Sequence, residues 1–181
     1  MDIISTPIDD LLVFIPKKFE DSRGYFFESF NQQKFNQAVG KEVVFVQDNE
    51  SLSSKNVMRG LHFQTPPAAQ GKLVRVVSGA VFDVAVDLRK NSPTFGKWHG
   101  ELLSTENNKL MWIPEGFAHG FLSLDDNTKF LYKCTNYYSP GNEQTIIWND
   151  PLINIDWKIS EPIISEKDKK GATFTDFITP F

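Results

Sequence analysis

The stretch VFDVAVDL, residues 81–88, alternates apolar and polar side chains with a period of two. One face of such a strand carries only apolar side chains, namely Phe82, Val84, Val86 and Leu88. Asp83 and Asp87 share the opposite face, so the pattern predicts a half-buried strand. The preceding stretch KLVRVV, residues 72–77, alternates in the same way, and Ser78-Gly79 predicts a turn between the two strands.

Further short strands are predicted on both sides of this pair. They cover residues 25–30 (YFFESF), 43–49 (VVFVQDN) and 130–137 (FLYKCTNY). Helix is scarce: NQQKFNQAV, residues 31–39, ends at Gly40, and a second short helix is predicted near Ser165. Many short strands separated by turns are typical of an all-β sandwich or barrel, and we favour a jelly roll with a few short helices. Its interior is a natural cavity for a small ligand.

Length and composition narrow the class of protein. The chain has 181 residues and is expected to form one domain, residues 1–181. A single cysteine, Cys134, excludes an internal disulfide and a thiolate metal cluster. The formal net charge of −4 argues against a general nucleic-acid binder. We find no apolar run of about 20 residues and no signal-like start, so we expect a cytoplasmic protein with no membrane segment.

The first cluster of candidate residues is RGLHFQ at 59–64, followed by QGK at 70–72. If residues 60–64 are extended, His62 and Gln64 share a face, and Lys72 opens the next strand. A histidine and a lysine at strand ends could project into one barrel mouth. The alternative is a structural histidine and a solvated lysine, and position alone does not decide between them.

The second cluster is PEGFAHGF at 114–121, whose P-x-G-x-x-H spacing resembles the second motif of the cupin jelly rolls. In metal-binding cupins that histidine is a ligand, and an earlier H-x-H pair supplies two more. Here the matching stretch reads His62-Phe63-Gln64, and His99 lies outside both motifs. We therefore expect no catalytic metal, although a metal cupin such as a dioxygenase is a competing hypothesis.

The third cluster is SEKD at 165–168. Ser165 and Asp168 have the spacing of a capping box at the start of a short helix. Alternatively, Asp168 is a carboxylate that orients a histidine and raises its basicity. Tyr132 is equally ambiguous, since a tyrosine in a strand usually serves packing.

Taken together, these clusters resemble the dTDP-4-dehydrorhamnose 3,5-epimerase family over essentially the whole chain. The matching segments are, in order, residues 21–28 (DSRGYFFE), 47–49 (QDN), 59–64, 70–72, 114–121, Tyr132 with Thr135, Pro140, Glu143 and 165–168. Each segment alone is weak, but their order and spacing are specific.

The resemblance implies a cupin-type jelly roll, a homodimer and an isomerase without a cofactor. It implies that His62 is the general base, Asp168 its partner, Tyr132 the general acid, and Lys72 the cation that supports the enolate oxygen. It further implies a set of residues that contact the nucleotide-sugar: Arg23, Glu28, Gln47, Asp48, Asn49, Arg59, Lys72, His119, Glu143 and Lys167. In such dimers the strand carrying Arg23 and Glu28 can serve the partner's site.

The implied reaction inverts carbons 3 and 5 of a dTDP-4-keto-6-deoxy sugar. Both hydrogens are α to the ketone, so their removal gives an enolate without a redox cofactor. Histidine titrates near neutrality and suits the base, while a fixed cation stabilises the oxyanion. Two alternatives remain open: an epimerase that inverts a single centre, and a binding module without catalysis.

Overall fold

The computed structural model describes residues 1–181 as an almost entirely β structure. Its strands are β1 (Asp2–Ser5), β2 (Leu12–Ile15), β3 (Lys18–Asp21), β4 (Gly24–Phe27), β5 (Gln47–Ser53), β6 (Met58–Gln64), β7 (Lys72–Ser78), β8 (Ala80–Asp87), β9 (Trp98–Ser104), β10 (Leu110–Ile113), β11 (Phe117–Ser123), β12 (Thr128–Cys134) and β13 (Glu143–Thr145). Helix α1 covers Gln32–Val39, and two 3-10 turns cover Pro140–Asn142 and Asp168–Lys170. None of these helices is long or apolar enough to cross a membrane.

The strands form two antiparallel sheets and one separate hairpin. The order in the first sheet is β1-β2-β10-β7-β12-β5, and in the second it is β13-β6-β11-β8-β9. Strands β3 and β4 pair only with each other. The two larger sheets make the jelly-roll sandwich that the strand pattern predicted, so the all-β prediction is confirmed.

Three apolar clusters hold the sandwich together. One lies between the sheets and includes Val74, Val81 and Phe130. The second covers the outer face of the five-stranded sheet, where buried side chains of the C-terminal segment, 146–181, pack. The third packs α1 on the outer face of the six-stranded sheet through Phe35. The space between the sheets stays open at one end because polar side chains replace apolar ones there.

Strand β8 differs from its prediction in one respect. Its apolar side chains lie under the C-terminal segment, but Asp83 and Asp87 are also fully buried. Each carboxylate has a cationic or hydrogen-bonding partner: His119 binds Asp83, and Arg89 binds Asp87. The prediction of a half-buried strand was wrong because alternation alone does not show that a polar face is solvated.

Other boundaries also shift. Strand β5 begins at Gln47 rather than at 43, because Val43 turns away to pack in the cluster around α1. Strand β4 ends at Phe27, before Glu28, and β12 ends at Cys134. The predicted helix is confirmed: the Asn31 side chain accepts a hydrogen bond from the Lys34 N–H, and Gly40 adopts φ 75°. The element predicted near Ser165 is a 3-10 turn that starts at Asp168.

Candidate active site

A cavity of about 570 Å³ opens between the two sheets, within the range of small-ligand sites. Its lining includes eight residues that the sequence singled out: Arg59, His62, Lys72, His119, Tyr132, Glu143, Lys167 and Asp168. It also includes Ser51, Met58, Phe121, Phe130, Tyr138 and Ser165. The cavity therefore gathers side chains from both sheets and from the C-terminal segment.

Strand register explains why these side chains face one another. In the five-stranded sheet, β6 and β11 place His62 directly opposite His119. In the six-stranded sheet, neighbouring strands β7 and β12 carry Lys72 and Tyr132. Because the sheets stack, the two histidines lie on one wall of the cavity and the lysine and tyrosine on the other.

His62 forms a short contact with a carboxylate from the C-terminal segment. Its Nε2 lies 2.6 Å from Asp168 Oδ1, and the Gly60 N–H donates to Asp168 Oδ2 at 3.3 Å. The Asp168 side chain is 5% exposed, whereas that of His62 is 29% exposed. Burial alone would raise the pKa of Asp168, but the hydrogen bonds from His62, Gly60 and Ser165 hold this pKa below its usual range. An ionised carboxylate thus orients a histidine that remains open to the cavity.

Gly60 makes this geometry sterically accessible. Its φ is 119°, and a Cβ at this position would lie 2.5 Å from the Cα of Gly120 on β11. Only glycine combines this conformation with such a close approach of two strands. The glycine in the RGLH segment is therefore part of the construction of the site.

A second histidine–aspartate pair lies deeper in the same wall. His119 Nε2 lies 2.9 and 3.0 Å from the two carboxylate oxygens of Asp83. Burial raises the pKa of the Asp83 carboxyl and lowers the pKa of His119, although the attraction between them opposes both shifts. Sequence reasoning missed Asp83 because its place on a polar strand face predicted exposure.

On the opposite wall, burial shifts both titratable groups toward their neutral forms. Burial lowers the pKa of the Lys72 ammonium. The electrostatic attraction of Cys134 and Asp83 for this cation partly opposes the decrease. Burial also raises the pKa of Tyr132, so the phenol keeps its proton at neutral pH. The Tyr132 ring packs against Phe130, with ring centroids 6.0 Å apart. Cys134 fills the end of the same strand and is fully buried.

Three side chains meet at the mouth of the cavity. Glu143 Oε2 accepts hydrogen bonds from Lys167 Nζ at 2.5 Å and from the Tyr138 hydroxyl at 2.7 Å. Burial would raise the pKa of Glu143, but these two donors hold it below its usual range. Tyr138 was missed by sequence reasoning, and its position between a strand end and a 3-10 turn offered no periodic signal.

Arg59 is held against the edge strand β5. Its Nε donates to Ser53 Oγ and its guanidinium to the Leu52 carbonyl, both at 3.2 Å. Gln47 and Asn49 share one face of the same strand, and the Gln47 amide donates to the Asn49 side chain. Gln47 also accepts a hydrogen bond from the Tyr138 N–H, which ties the mouth loop to this strand.

Five predicted contact residues are absent from the lining of the cavity. Gln47 and Asn49 lie on β5, the strand that Arg59 contacts, and the other three make contacts elsewhere. Arg23 sits at the tip of the β3–β4 hairpin, 88% exposed and bound to Asp21. Glu28 pairs with Lys34, and Asp48 points away from the cavity and pairs with Lys133. Within one chain the structure does not bring these three residues to the site.

The chain contains no group of three or more His, Cys, Asp or Glu side chains placed to hold a metal ion. Residues 5–176 match the family model described as dTDP-4-dehydrorhamnose 3,5-epimerase. The chain belongs to this family. The resemblance noted from the motifs is thereby confirmed, and the enzyme class is that of an isomerase.

Members of the epimerase family resemble the chain along its whole length. The dTDP-4-dehydrorhamnose 3,5-epimerase of Shigella flexneri is 58% identical over 176 residues, which cover 97% of each chain. The solved dTDP-6-deoxy-D-glucose-3,5-epimerase of Legionella pneumophila Philadelphia 1, in complex with dTDP-4-keto-L-rhamnose, superposes with a TM-score of 0.94 at 48% identity. That match covers 98% of this chain and 94% of the other.

A more distant member has a narrower activity in its name. A 3'-monoepimerase from Streptomyces bikiniensis, solved with dTDP-quinovose, has a TM-score of 0.89 at 33% identity. The match covers 94% of this chain and 86% of the other. The same fold therefore occurs both in enzymes named 3,5-epimerases and in an enzyme named a monoepimerase.

Proposed function

We propose that this enzyme converts dTDP-4-dehydro-6-deoxy-D-glucose into dTDP-4-dehydro-L-rhamnose by inverting carbons 3 and 5 of the sugar, without a cofactor, in dTDP-L-rhamnose biosynthesis. The observation that carries the proposal is the placement of His62, backed by Asp168, opposite Tyr132 across one cavity. Inversion needs a base on one face of the carbon and an acid on the other. The names of the relatives support the substrate class.

His62 removes the proton α to the ketone. Its Nε2 binds Asp168, so the other ring nitrogen, Nδ1, is left to meet the sugar. The carboxylate fixes this tautomer and stabilises the imidazolium that forms. General base catalysis of this kind contributes about 10²–10⁴-fold to the rate.

Lys72 and Tyr132 complete the reaction from the other wall. As the proton leaves, negative charge develops on the oxygen at carbon 4, and the Lys72 ammonium stabilises it. Tyr132 keeps its proton at neutral pH because burial raises its pKa, and it can donate this proton to the opposite face of the carbanion. The imidazolium of His62 then loses its proton to water, and the Tyr132 phenolate takes one up from water. With both groups restored, the same two steps at the second carbon give the doubly inverted product.

The remaining predicted contacts bind the nucleotide diphosphate. Arg59 and Lys167 are cations at the cavity, and arginine matches the geometry of a phosphate. Lys167 must exchange its contact with Glu143 for the ligand. Gln47, Asn49 and His119 offer amide and imidazole groups, and Tyr138 offers an aromatic face at the mouth.

We further propose a homodimer in the cytoplasm, in which Arg23 and Glu28 serve the site of the partner subunit. The β3–β4 hairpin supports this, since it joins neither sheet and exposes Tyr25 and Phe26 at 59% and 70%. Apolar exposure of this size indicates an interaction surface.

A mixing experiment tests whether Arg23, on the β3–β4 hairpin, acts in the site of the partner subunit. Arg23→Ala and His62→Ala homodimers should each be nearly inactive. Mixed under conditions of subunit exchange, they should recover about one quarter of wild-type activity, because each heterodimer contains one intact site. Absence of recovery, with heterodimers shown by native mass spectrometry, would contradict an arm that crosses the interface.

The activity itself is tested by incubation with the 4-keto nucleotide-sugar in deuterium oxide. We expect deuterium at both carbons 3 and 5 and formation of the L-sugar, read by NMR. Binding of the nucleotide-sugar without exchange at either carbon would instead identify a binding module.

Inversion of a single centre is the second candidate function. It is favoured by the Streptomyces bikiniensis relative, a 3'-monoepimerase that shares the fold. The base and the acid would be the same, so the count of deuterons in the product decides. One deuteron per inverted molecule, with the other carbon unchanged after long incubation, would select this alternative.

A further inference from the structure

Backbone hydrogen bonds fix both ends of the segment that carries Asp168, residues 163–172. The Met58 N–H donates to the Ile163 carbonyl at 2.9 Å, and the Ile147 N–H donates to the Ala172 carbonyl at 2.9 Å. These contacts attach residues 163 and 172 to the start of β6 and to the chain just after β13 by parallel bridges. Residues 164–171 span the gap, so their internal conformation decides where the Asp168 carboxylate points.

Ser165 makes two hydrogen bonds inside this span, through its hydroxyl and its carbonyl oxygen. Its Oγ accepts a hydrogen bond from the Asp168 N–H at 3.1 Å, and its carbonyl accepts from the Lys169 N–H at 3.1 Å. No other acceptor binds the Asp168 N–H. Half of the predicted capping box is therefore formed: the Ser165 hydroxyl binds the Asp168 N–H, but the Asp168 carboxylate binds His62 and Gly60.

The Gly60 N–H on β6 also binds the Asp168 carboxylate, at 3.3 Å. The remaining contacts of the turn itself are less suited to hold Asp168. Lys167 pairs with Glu143, but its side chain is 57% exposed, and an exposed ion pair contributes little to holding a turn in place. Gly171 packs closely, since a Cβ there would lie 2.7 Å from the Ile147 nitrogen. This packing fixes the end of the segment rather than the rotation of Asp168.

We propose that Ser165 is a positioning residue for this reaction, whose hydroxyl keeps Asp168 aimed at His62 while Lys167 is engaged by the ligand. The inference rests on the proposed function, because it assigns Ser165 an effect only through the His62–Asp168 pair. The new element is the Ser165 hydroxyl, which keeps the His62–Asp168 pair aligned during turnover.

Three single variants test the inference. Ser165→Ala removes the cap, and kcat should fall about tenfold with KM within about twofold, since misalignment of a catalytic group lowers the chemical step. Ser165→Thr retains the hydroxyl and should restore kcat to within about twofold of wild type. Thr173→Ala is the matched control: Thr173 Oγ1 accepts from the Asp176 N–H at 3.2 Å in the same spacing, but away from the cavity.

A double-mutant cycle separates positioning from folding. If Ser165 acts only through Asp168, then Ser165→Ala should change the exchange rate by less than about twofold in an Asp168→Asn background. Thermal unfolding of Ser165→Ala should match that of Thr173→Ala. An undiminished tenfold loss in the Asp168→Asn background, or a raised KM with unchanged kcat, would overturn the inference.

The outcomes also distinguish this inference from the proposed function. If the wild-type protein shows no deuterium exchange at carbon 3 or carbon 5, the proposed function fails. If it does exchange but Asp168→Asn retains wild-type kcat, the His62–Asp168 pair does not limit the reaction, and only the inference about Ser165 fails. If Asp168→Asn is impaired and Ser165→Ala retains wild-type kcat, only the role of Ser165 fails.

Discussion

Two histidine–aspartate pairs lie side by side on one wall of the cavity, and they are built differently. His62 and His119 are direct partners across β6 and β11. The carboxylate of the first pair, Asp168, comes from a 3-10 turn in the C-terminal segment, whereas that of the second, Asp83, comes from β8, an interior strand of the five-stranded sheet. The His62 side chain is 29% exposed, and the His119 side chain is 8% exposed.

The difference in burial gives the two carboxylates opposite shifts. Hydrogen bonds overcome burial at Asp168 and lower its pKa, whereas burial prevails at Asp83 and raises its pKa. The outer pair therefore has an ionised carboxylate and an accessible imidazole, which are the requirements of a general base. The inner pair is largely shielded from solvent and contributes mainly to the shape and polarity of the wall.

Removal of the outer imidazole gives the largest expected effect. His62→Ala should lower the rate of deuterium exchange by about 10²–10⁴-fold, because the base is lost. Binding of dTDP, measured by calorimetry, should stay within about twofold. His99→Ala serves as the control, since this third histidine lies outside the cavity lining and should retain activity. A large residual exchange rate in His62→Ala would assign the base to another group.

Removal of the inner carboxylate should affect stability more than removal of the outer one. Asp83→Ala leaves the buried imidazole of His119 without its hydrogen-bond partner, and an unsatisfied buried polar group costs about 1–3 kcal/mol. Asp168→Ala leaves His62 in contact with the cavity, where water can replace the carboxylate. Urea unfolding of both variants measures the difference. Equal losses of unfolding free energy would remove the distinction between the two pairs.

The Tyr132→Phe variant tests whether the His62–Asp168 pair can remove a proton without the proton donor on the opposite wall of the cavity. Tyr132→Phe keeps the ring but removes the proton donor, so formation of the inverted product should fall about 100-fold. Proton abstraction by His62 should persist, and a deuteron should be added to the same face of the carbon that the proton left. NMR of recovered substrate measures this exchange without inversion. If exchange and inversion fall in parallel, Tyr132 is needed for proton abstraction as well.

Local signals explain which elements the sequence could predict. Helix α1 was placed correctly because its caps, Asn31 and Gly40, directly flank it in the sequence. The jelly roll followed from period-two alternation, but alternation did not reveal which face of β8 is solvated. Asp83 was therefore missed, since its partner His119 is 36 residues away in the chain and on a different strand.

The site itself depends on contacts that no spacing rule encodes. His62 and Asp168 are separated by 106 residues, and only the folded C-terminal segment brings them within 2.6 Å. From the residues alone, the SEKD motif allowed a cap or a catalytic partner, and only the family resemblance favoured the partner. Arg23 and Glu28 point away from their own cavity, so their assignment depends on a second subunit.

The smallest expected effect concerns the pH dependence of stability at the outer pair. Because the pKa of Asp168 lies below its usual range in the folded state, its carboxylate stabilises the fold above the unfolded pKa of about 3.9. This contribution is lost as the pH falls through the folded-state pKa. Asp168→Asn removes it, so the unfolding free energy of the variant should fall less steeply than that of wild type between about pH 5 and about pH 2. Parallel curves for the two proteins would mean that Asp168 has the same proton affinity in both states, which is incompatible with its contacts to His62 and Gly60.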